Sequence, residues 1–504
     1  VTSWPRLKLE HTLLAGLIAF CALWDLWAVL VDQRLSLAAD NFTYGLAEML
    51  RLPQAALLHK WSTDKAPLIY ALAFAMEWAV GSLPAATRLI CVIGHGCLVA
   101  QAYHLGRTLD RSRGAGLWAA LVCATTPMVF GWSRLDFTDL PAACFVMAFL
   151  QLALETPGAL ERPRRAGLFG LVIGLGMMTK LSFLVFVVGP GLWLLAARIR
   201  GPRVTRGLGL ALVVAALVAG PWLVHNTGAL VNITVAASVQ SQESLWLRVA
   251  RYLQLPGAWP LLAAAAASLA LLGLERRLDR WKLVLLAIAV ALPIPLLVVL
   301  HEFMARYAVP LFPPCAVLVG AGIASLLARL SPPRRRLTSL AGAAALLAGF
   351  VGLNITGIEA ADREMSAGMV GPDRRPHLGY ARAMAALDRR RPAFLVVGDC
   401  EAFEVFRPVA ELWAYRGLRA PSSSLAAVVG QRPHAVPVLV VRSRHRPLDL
   451  EHGPAPGDCP DAPELSRHLA WLARAARQEL VRTEDPYGLV YSALRVNPAT
   501  SGGN

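Results

Sequence analysis

Apolar residues in this chain come in blocks long enough to cross a bilayer, separated by short polar stretches. The blocks are 11–31, 84–106, 114–132, 139–155, 166–179, 181–197, 207–226, 258–274, 283–300, 308–329 and 337–357. A hydrocarbon core about 30 Å thick takes roughly 20 apolar residues as a helix, in which every backbone N–H and C=O is bonded within the segment. The pattern predicts an α-helical polytopic membrane protein with about 11 crossings. A further apolar run, PLIYALAFAMEWAVGSL (67–83), would invert every later loop if it crossed. It is expected instead as an amphipathic or re-entrant helix at one interface, with Trp61 and Trp78 as anchors. The short blocks 166–179 and 181–197 are read as two spans meeting near Thr179–Lys180.

Beyond residue 357 the blocks stop and the chain becomes charged and Pro-rich over a length sufficient for a compact domain. AFLVVGD (393–399) and VPVLVV (436–441) predict strands, and ELSRHLAWLARAARQEL (464–480) a helix. The organisation expected is a transmembrane catalytic domain, 1–357, followed by a soluble α/β or α+β domain, 358–504.

Composition agrees. The 504 residues are 56% hydrophobic and only 16% charged, with mean hydropathy +0.51, whereas soluble domains are near one quarter charged. The net charge of +16 might point to nucleic acid, but its placement does not. Arginines gather in alternate short loops: Arg107/Arg111/Arg113, Arg162/Arg164/Arg165, Arg198 to Arg206, Arg276 to Lys282 and Arg329 to Arg336. With the N-terminus (Arg6, Lys8) on the same side, that side holds 20 Lys and Arg; the opposite side (32–83, 133–138, 180, 227–257, 301–307) holds nine over about twice the length. The charge therefore orients the chain in a membrane, N-terminus cytoplasmic and C-terminal domain extracytoplasmic, and no nucleic-acid partner is expected. Residues 11–31 are too long for a signal-peptide core and are read as an anchored helix. Six of the eight cysteines fall in apolar blocks as buried thiols; Cys400 and Cys459, in the extracytoplasmic domain, are either a disulfide or two free thiols.

Candidate chemistry lies on the sparsely basic side. Asp40 and Tyr44 follow the first block; HKWSTDKAP (59–67) adds His59, Asp64 and Lys65; WSRLDFTDLP (132–141) adds Arg134, Asp136 and Asp139; Lys180 stands alone; HEFMARY (301–307) adds His301, Glu302, Arg306 and Tyr307. Ionisable groups at bilayer depth are costly and face polar cavities. Carboxylates with cations suit a base activating one substrate while fixed positive charge holds an anionic group of another. Simpler readings stand beside these: Asp40 as a helix cap, Asp136 or Asp139 capping the next span, Lys180 snorkelling, and Arg306 pairing with Glu302. No Cys/His cluster has zinc spacing; no cofactor is demanded, and a carboxylate-bound divalent metal ion is compatible with the sequence.

These residues and their order resemble the GT-C superfamily of polyprenyl-phosphate-sugar-dependent glycosyltransferases, in particular the branch of protein O-mannosyltransferases and lipid A aminoarabinose transferases. Asp40 and Tyr44 match the first-loop acid and its tyrosine. DKAPLIYALAFAMEWAVG (64–81) resembles a Lys-Pro-Pro-Leu element, with Ala66 in place of the first proline. The run 87–141 follows the longest recognisable stretch, with Asp139 at its second acid. GLGMMTKLSF (174–183), PWLVHN (221–226) and RYAVPLFPPCAVLVGAG (306–322) match later landmarks.

The resemblance implies inverting transfer of a sugar from a polyprenyl-phosphate donor to an acceptor hydroxyl on a glycan, lipid or protein, at the outer face of a bacterial plasma membrane. It casts Asp40 as base, Lys65, Lys180, Arg306 and Arg134 as phosphate ligands, and Asp139, with Asp136 beside it, as the acid that binds the acceptor or orients a cation. Tyr44, His59, Asp64, His301, Glu302 and Tyr307 would line the site. A transporter or flippase of lipid-linked sugars is the alternative, disfavoured by the absence of a repeat between halves and by charges clustered at one face.

Overall fold

The computed structural model describes residues 4–31, 66–80, 83–110, 112–135, 137–198, 201–240, 244–275, 279–300, 305–367, 394–397, 437–444, 476–484 and 489–496. The chain divides into two compact units, one of residues 1–32 and 60–364 and one of residues 33–59 and 365–504.

In the first unit each predicted apolar block falls on a helix: Trp4–Val31, Leu83–Asp110, Arg113–Ala124 with Pro127–Ser133, Asp139–Leu154, Pro163–Thr179, Phe183–Arg198, Pro202–Gln240, Ala258–Glu275, Arg280–Ala291 with Pro293–Leu300, Phe312–Ala328 and Pro332–Ala367. Among the described residues six spans are long and apolar enough to cross a membrane by length and composition, or seven if the bent pair Gly114–Ala124 and Pro127–Ser133 counts as one. Asp139–Leu154 and Phe183–Arg198 are shorter apolar helices. Leu68–Val80, with 13 residues, is about 20 Å long and too short to cross, in keeping with the interfacial role expected of 67–83. It buries Ile69, Tyr70 and Ala73 and leaves Trp78 fully exposed.

The core of this unit lies where Leu83–Asp110, Arg113–Ala124 and Phe312–Ala328 meet. A methyl on Gly116 would come 2.8 Å from the Tyr103 carbonyl oxygen, and one on Gly320 would overlap the Ala119 backbone. Small residues thus let these backbones touch, as helix association within lipid requires. Leu13, Leu23, Trp27, Leu192, Leu212, Leu217 and Val224 are exposed, as expected of a lipid-facing surface.

The break that shapes the site is at Thr125–Thr126–Pro127. Pro127 has no N–H to continue the helix, and the chain turns by 59°. The Thr125 hydroxyl donates to the Leu121 carbonyl (2.9 Å) and the Thr126 hydroxyl to the Val122 carbonyl (2.7 Å), satisfying carbonyls at the interrupted end. The short helix Pro127–Ser133 that follows is wholly buried and delivers the chain to the turn before Asp139.

The described part of the second unit is a four-stranded sheet of order β1-β2-β4-β3, with β1 Phe394–Val397, β2 Pro437–Arg444, β3 Ala476–Glu484 and β4 Leu489–Val496. β1 pairs parallel with β2; the other two pairings are antiparallel. The strands expected at 393–399 and 436–441 are present. The helix expected at 464–480 is corrected: its last residues, from Ala476, belong to β3 and pair with β4 from Ala476↔Val496 to Glu484↔Val490. Antiparallel pairing with the next strand, β4, overrides the local helical preference. β3 carries Arg477, Glu479, Arg482 and Glu484, and such charge suits the sheet-edge position it holds.

Candidate active site

Asp139 is the first residue of the Asp139–Leu154 helix and is completely buried. The N-cap position is Thr138, so Asp139 does not cap the helix; its carboxylate lies at the positive end of the helix dipole instead. Oδ2 lies 2.7 Å from Lys180 Nζ and 3.8 Å from Arg306 Nε, the latter an ion-pair distance rather than a hydrogen bond.

Each partner is supplied by a helix boundary. Lys180 is the C-cap of Pro163–Thr179, in extended conformation (φ −165°, ψ 131°), where the turn to Phe183–Arg198 aims its side chain at Asp139. It is only 14% exposed, which excludes simple snorkelling into solvent. Arg306 and Tyr307 belong to the 3-10 turn Ala305–Leu311, which leads into Phe312–Ala328. The Arg306 guanidinium lies 4.8 Å from the Phe137 ring centre and 5.5 Å from that of Tyr307, and Lys180 Nζ lies 4.6 Å from the Tyr307 ring. Arg134 is the buried C-cap of Pro127–Ser133. Phe137 is pinned through its carbonyl, which accepts from Cys91 Sγ at 3.3 Å.

The structure therefore joins Asp139, Lys180, Arg306 and Tyr307, four residues expected from three separate loops. What the sequence reading did not anticipate is that Asp139 is already paired with both cations. Burying such a group costs several kcal/mol unless it is well paired, so the arrangement is expensive as mere structure. Arg88, one turn before Cys91 on Leu83–Asp110, is also buried and was not singled out from sequence, although a cation at the edge of an apolar block was a readable signal.

Asp40, Tyr44, His59, Asp64, Lys65, Asp136, His301 and Glu302 lie outside the described residues, as do Cys400 and Cys459. Among the described residues no group of three His, Cys, Asp or Glu side chains could hold a metal ion. Asp139, with a cation on the same oxygen, is a poor metal ligand.

A multi-pass helical protein with a carboxylate–cation cluster buried at the broken ends of its spans is the class these features define, and known structures give it a fold. The chain is similar to ArnT from Cupriavidus metallidurans bound to undecaprenyl phosphate (TM-score 0.57, 16% identity, covering 97% of this chain and 99% of that one). It is similar also to the archaeal oligosaccharyltransferase AglB from Archaeoglobus fulgidus in complex with an inhibitory peptide and a dolichol-phosphate (TM-score 0.52, 14% identity, covering 98% and 75%). Residues 64–225 match the family model of dolichyl-phosphate-mannose-protein mannosyltransferases. No curated protein sequence matches the chain. The chain shares the fold of these two proteins.

Proposed function

We propose that the protein is a membrane glycosyltransferase that takes a sugar from a polyprenyl-phosphate donor and transfers it, with inversion, to an acceptor hydroxyl. The observation that carries this reading is the buried Asp139–Lys180–Arg306 cluster, in a fold shared with a protein solved with undecaprenyl phosphate.

Asp40 removes the acceptor proton as the hydroxyl oxygen attacks the anomeric carbon opposite the lipid phosphate. The bond from that carbon to the phosphate oxygen breaks, and its electron pair departs on the phosphate. The leaving group gains negative charge in this step, so fixed cations stabilise the transition state more than the ground state. Lys180 and Arg306, with Lys65 and Arg134, supply that charge. Asp139 holds Lys180 and Arg306 in place, and the base is Asp40. Asp136 is the remaining candidate for the acceptor-side acid, and Tyr44, His59, Asp64, His301, Glu302 and Tyr307 line the site. The arginine distribution supports a cytoplasmic N-terminus and an extracytoplasmic reaction, which this reading assigns to a bacterial plasma membrane.

The test is transfer of radiolabelled sugar from synthetic polyprenyl-phosphate sugars to envelope lipid, glycan and protein fractions by the protein in lipid nanodiscs. Label should appear in one fraction with wild type and fall at limiting donor with Lys180→Met while the protein remains folded. Wild type inactive with every donor would overturn the reading.

A further inference from the structure

A second ionisable group is buried more deeply than the first and has no part in the scheme above. Asp25 in Trp4–Val31, His95 in Leu83–Asp110 and Ser133 at the end of Pro127–Ser133 are all fully buried. His95 Nδ1 lies 2.7 Å from Asp25 Oδ2. The Ser133 hydroxyl donates to Asp25 Oδ1 at 2.9 Å and lies 2.7 Å from the Phe130 carbonyl. Three chain segments thus converge on one carboxylate.

This is not a nucleophilic triad, since serine and histidine both bond the acid. Among the described residues nothing bonds His95 Nε2, so the ring works through Nδ1 alone, donating N–H to the carboxylate. A carboxylate in an apolar span is costly, and apolar side chains would join these helices at less expense. What the polar group adds is a fixed direction at Ser133, the residue before Arg134. One turn away from His95 on the same helix, Cys91 holds the Phe137 carbonyl. The stretch from Ser133 to Phe137 is therefore tied at both ends. It carries Arg134, the ring beneath Arg306, and, two residues on, Asp139. Asp25 itself lies in the helix that leads into the segment bearing Asp40.

We propose that Asp25, His95 and Ser133 form a latch that positions the Arg134–Asp139 turn for transfer, the three acting as positioning residues. The proposal rests on the transferase reading above. A displacement of about 1 Å in a group that orients reactants can cost about 100-fold in rate.

Ser133→Ala cuts the latch from the turn while leaving the Asp25–His95 pair. It should lower turnover at saturating donor at least tenfold, with the helical content of wild type retained. Ser133→Thr, which restores the hydroxyl, should recover most of the turnover. His95→Asn keeps a donor near the Nδ1 position and should lose far less turnover than His95→Leu. Hydrogen exchange in residues 127–139 should quicken in Ser133→Ala and not in Ser133→Thr. Unchanged turnover in Ser133→Ala, equal loss in both Ser133 variants, or His95→Asn as impaired as His95→Leu would each overturn the latch while leaving the transferase reading intact. Wild type without transfer activity would overturn that reading instead; exchange in 127–139 then decides the latch alone, and no change there sinks it.

Discussion

Two neighbouring helices, Asp139–Leu154 and Pro163–Thr179, carry an acid–base pair at each end, and the two ends are built differently. At one end Asp139 and Lys180 meet at 2.7 Å, with the acid fully buried and Arg306 beside it. At the other, about 24 Å along the helix, Glu155 pairs with Arg165, which is 47% exposed, and Gln151 donates to the same carboxylate. The residue types match; the environment does not. An exposed pair contributes about 0–1 kcal/mol and helps keep the arginine-rich side in water. A buried pair repays its desolvation only with good geometry, and removing one partner costs about 3–5 kcal/mol. The contrast separates charge that orients a membrane protein from charge held deep within it.

The comparison can be broken or sharpened by substitution. Asp40→Asn should have the largest effect, lowering transfer by about 100- to 10,000-fold, the range for loss of a general base, with donor binding kept. Retained transfer would remove the reason for the cation cluster. Asp139→Ala should come next in activity and lead in stability. It leaves Lys180 and Arg306 buried beside an absent partner, at a cost of about 3–5 kcal/mol measurable by thermal unfolding in lipid. Lys180→Met should weaken binding of undecaprenyl phosphate by about 10- to 100-fold, from loss of one charge-assisted contact worth about 1.5–3 kcal/mol. Smallest of all, Arg165→Ala should shift stability by no more than about 1 kcal/mol and leave transfer at wild-type rate. If Arg165→Ala disabled transfer as Lys180→Met does, the two ends would not differ in function.

The same contrast explains what could be read in the sequence. Spans were legible because apolar blocks recur with arginine loops between them, and every block falls on a helix. Asp139, Lys180 and Arg306 were legible because each is a charge at the end of an apolar block on the arginine-poor side. Their pairing was not, since it depends on three distant helix ends meeting. Asp25 and His95 were visible as ionisable residues inside apolar blocks, yet single side chains at positions 25 and 95 say nothing of each other until the helices pack. In the second unit, 464–480 has helical composition along its length, and only the pairing of its last residues with β4 makes them a strand. Asp40, Lys65 and Asp136 rest on sequence alone, which is why their roles remain proposals.

The most direct measurement of the central claim is transfer of radiolabelled sugar from polyprenyl-phosphate donors by wild type and Asp40→Asn, side by side in the same nanodiscs. The account predicts label in an acceptor fraction for wild type and none above background for the variant, with both proteins melting at the same temperature and binding undecaprenyl phosphate alike. Equal transfer by the two proteins, or none by wild type with any donor, would contradict it.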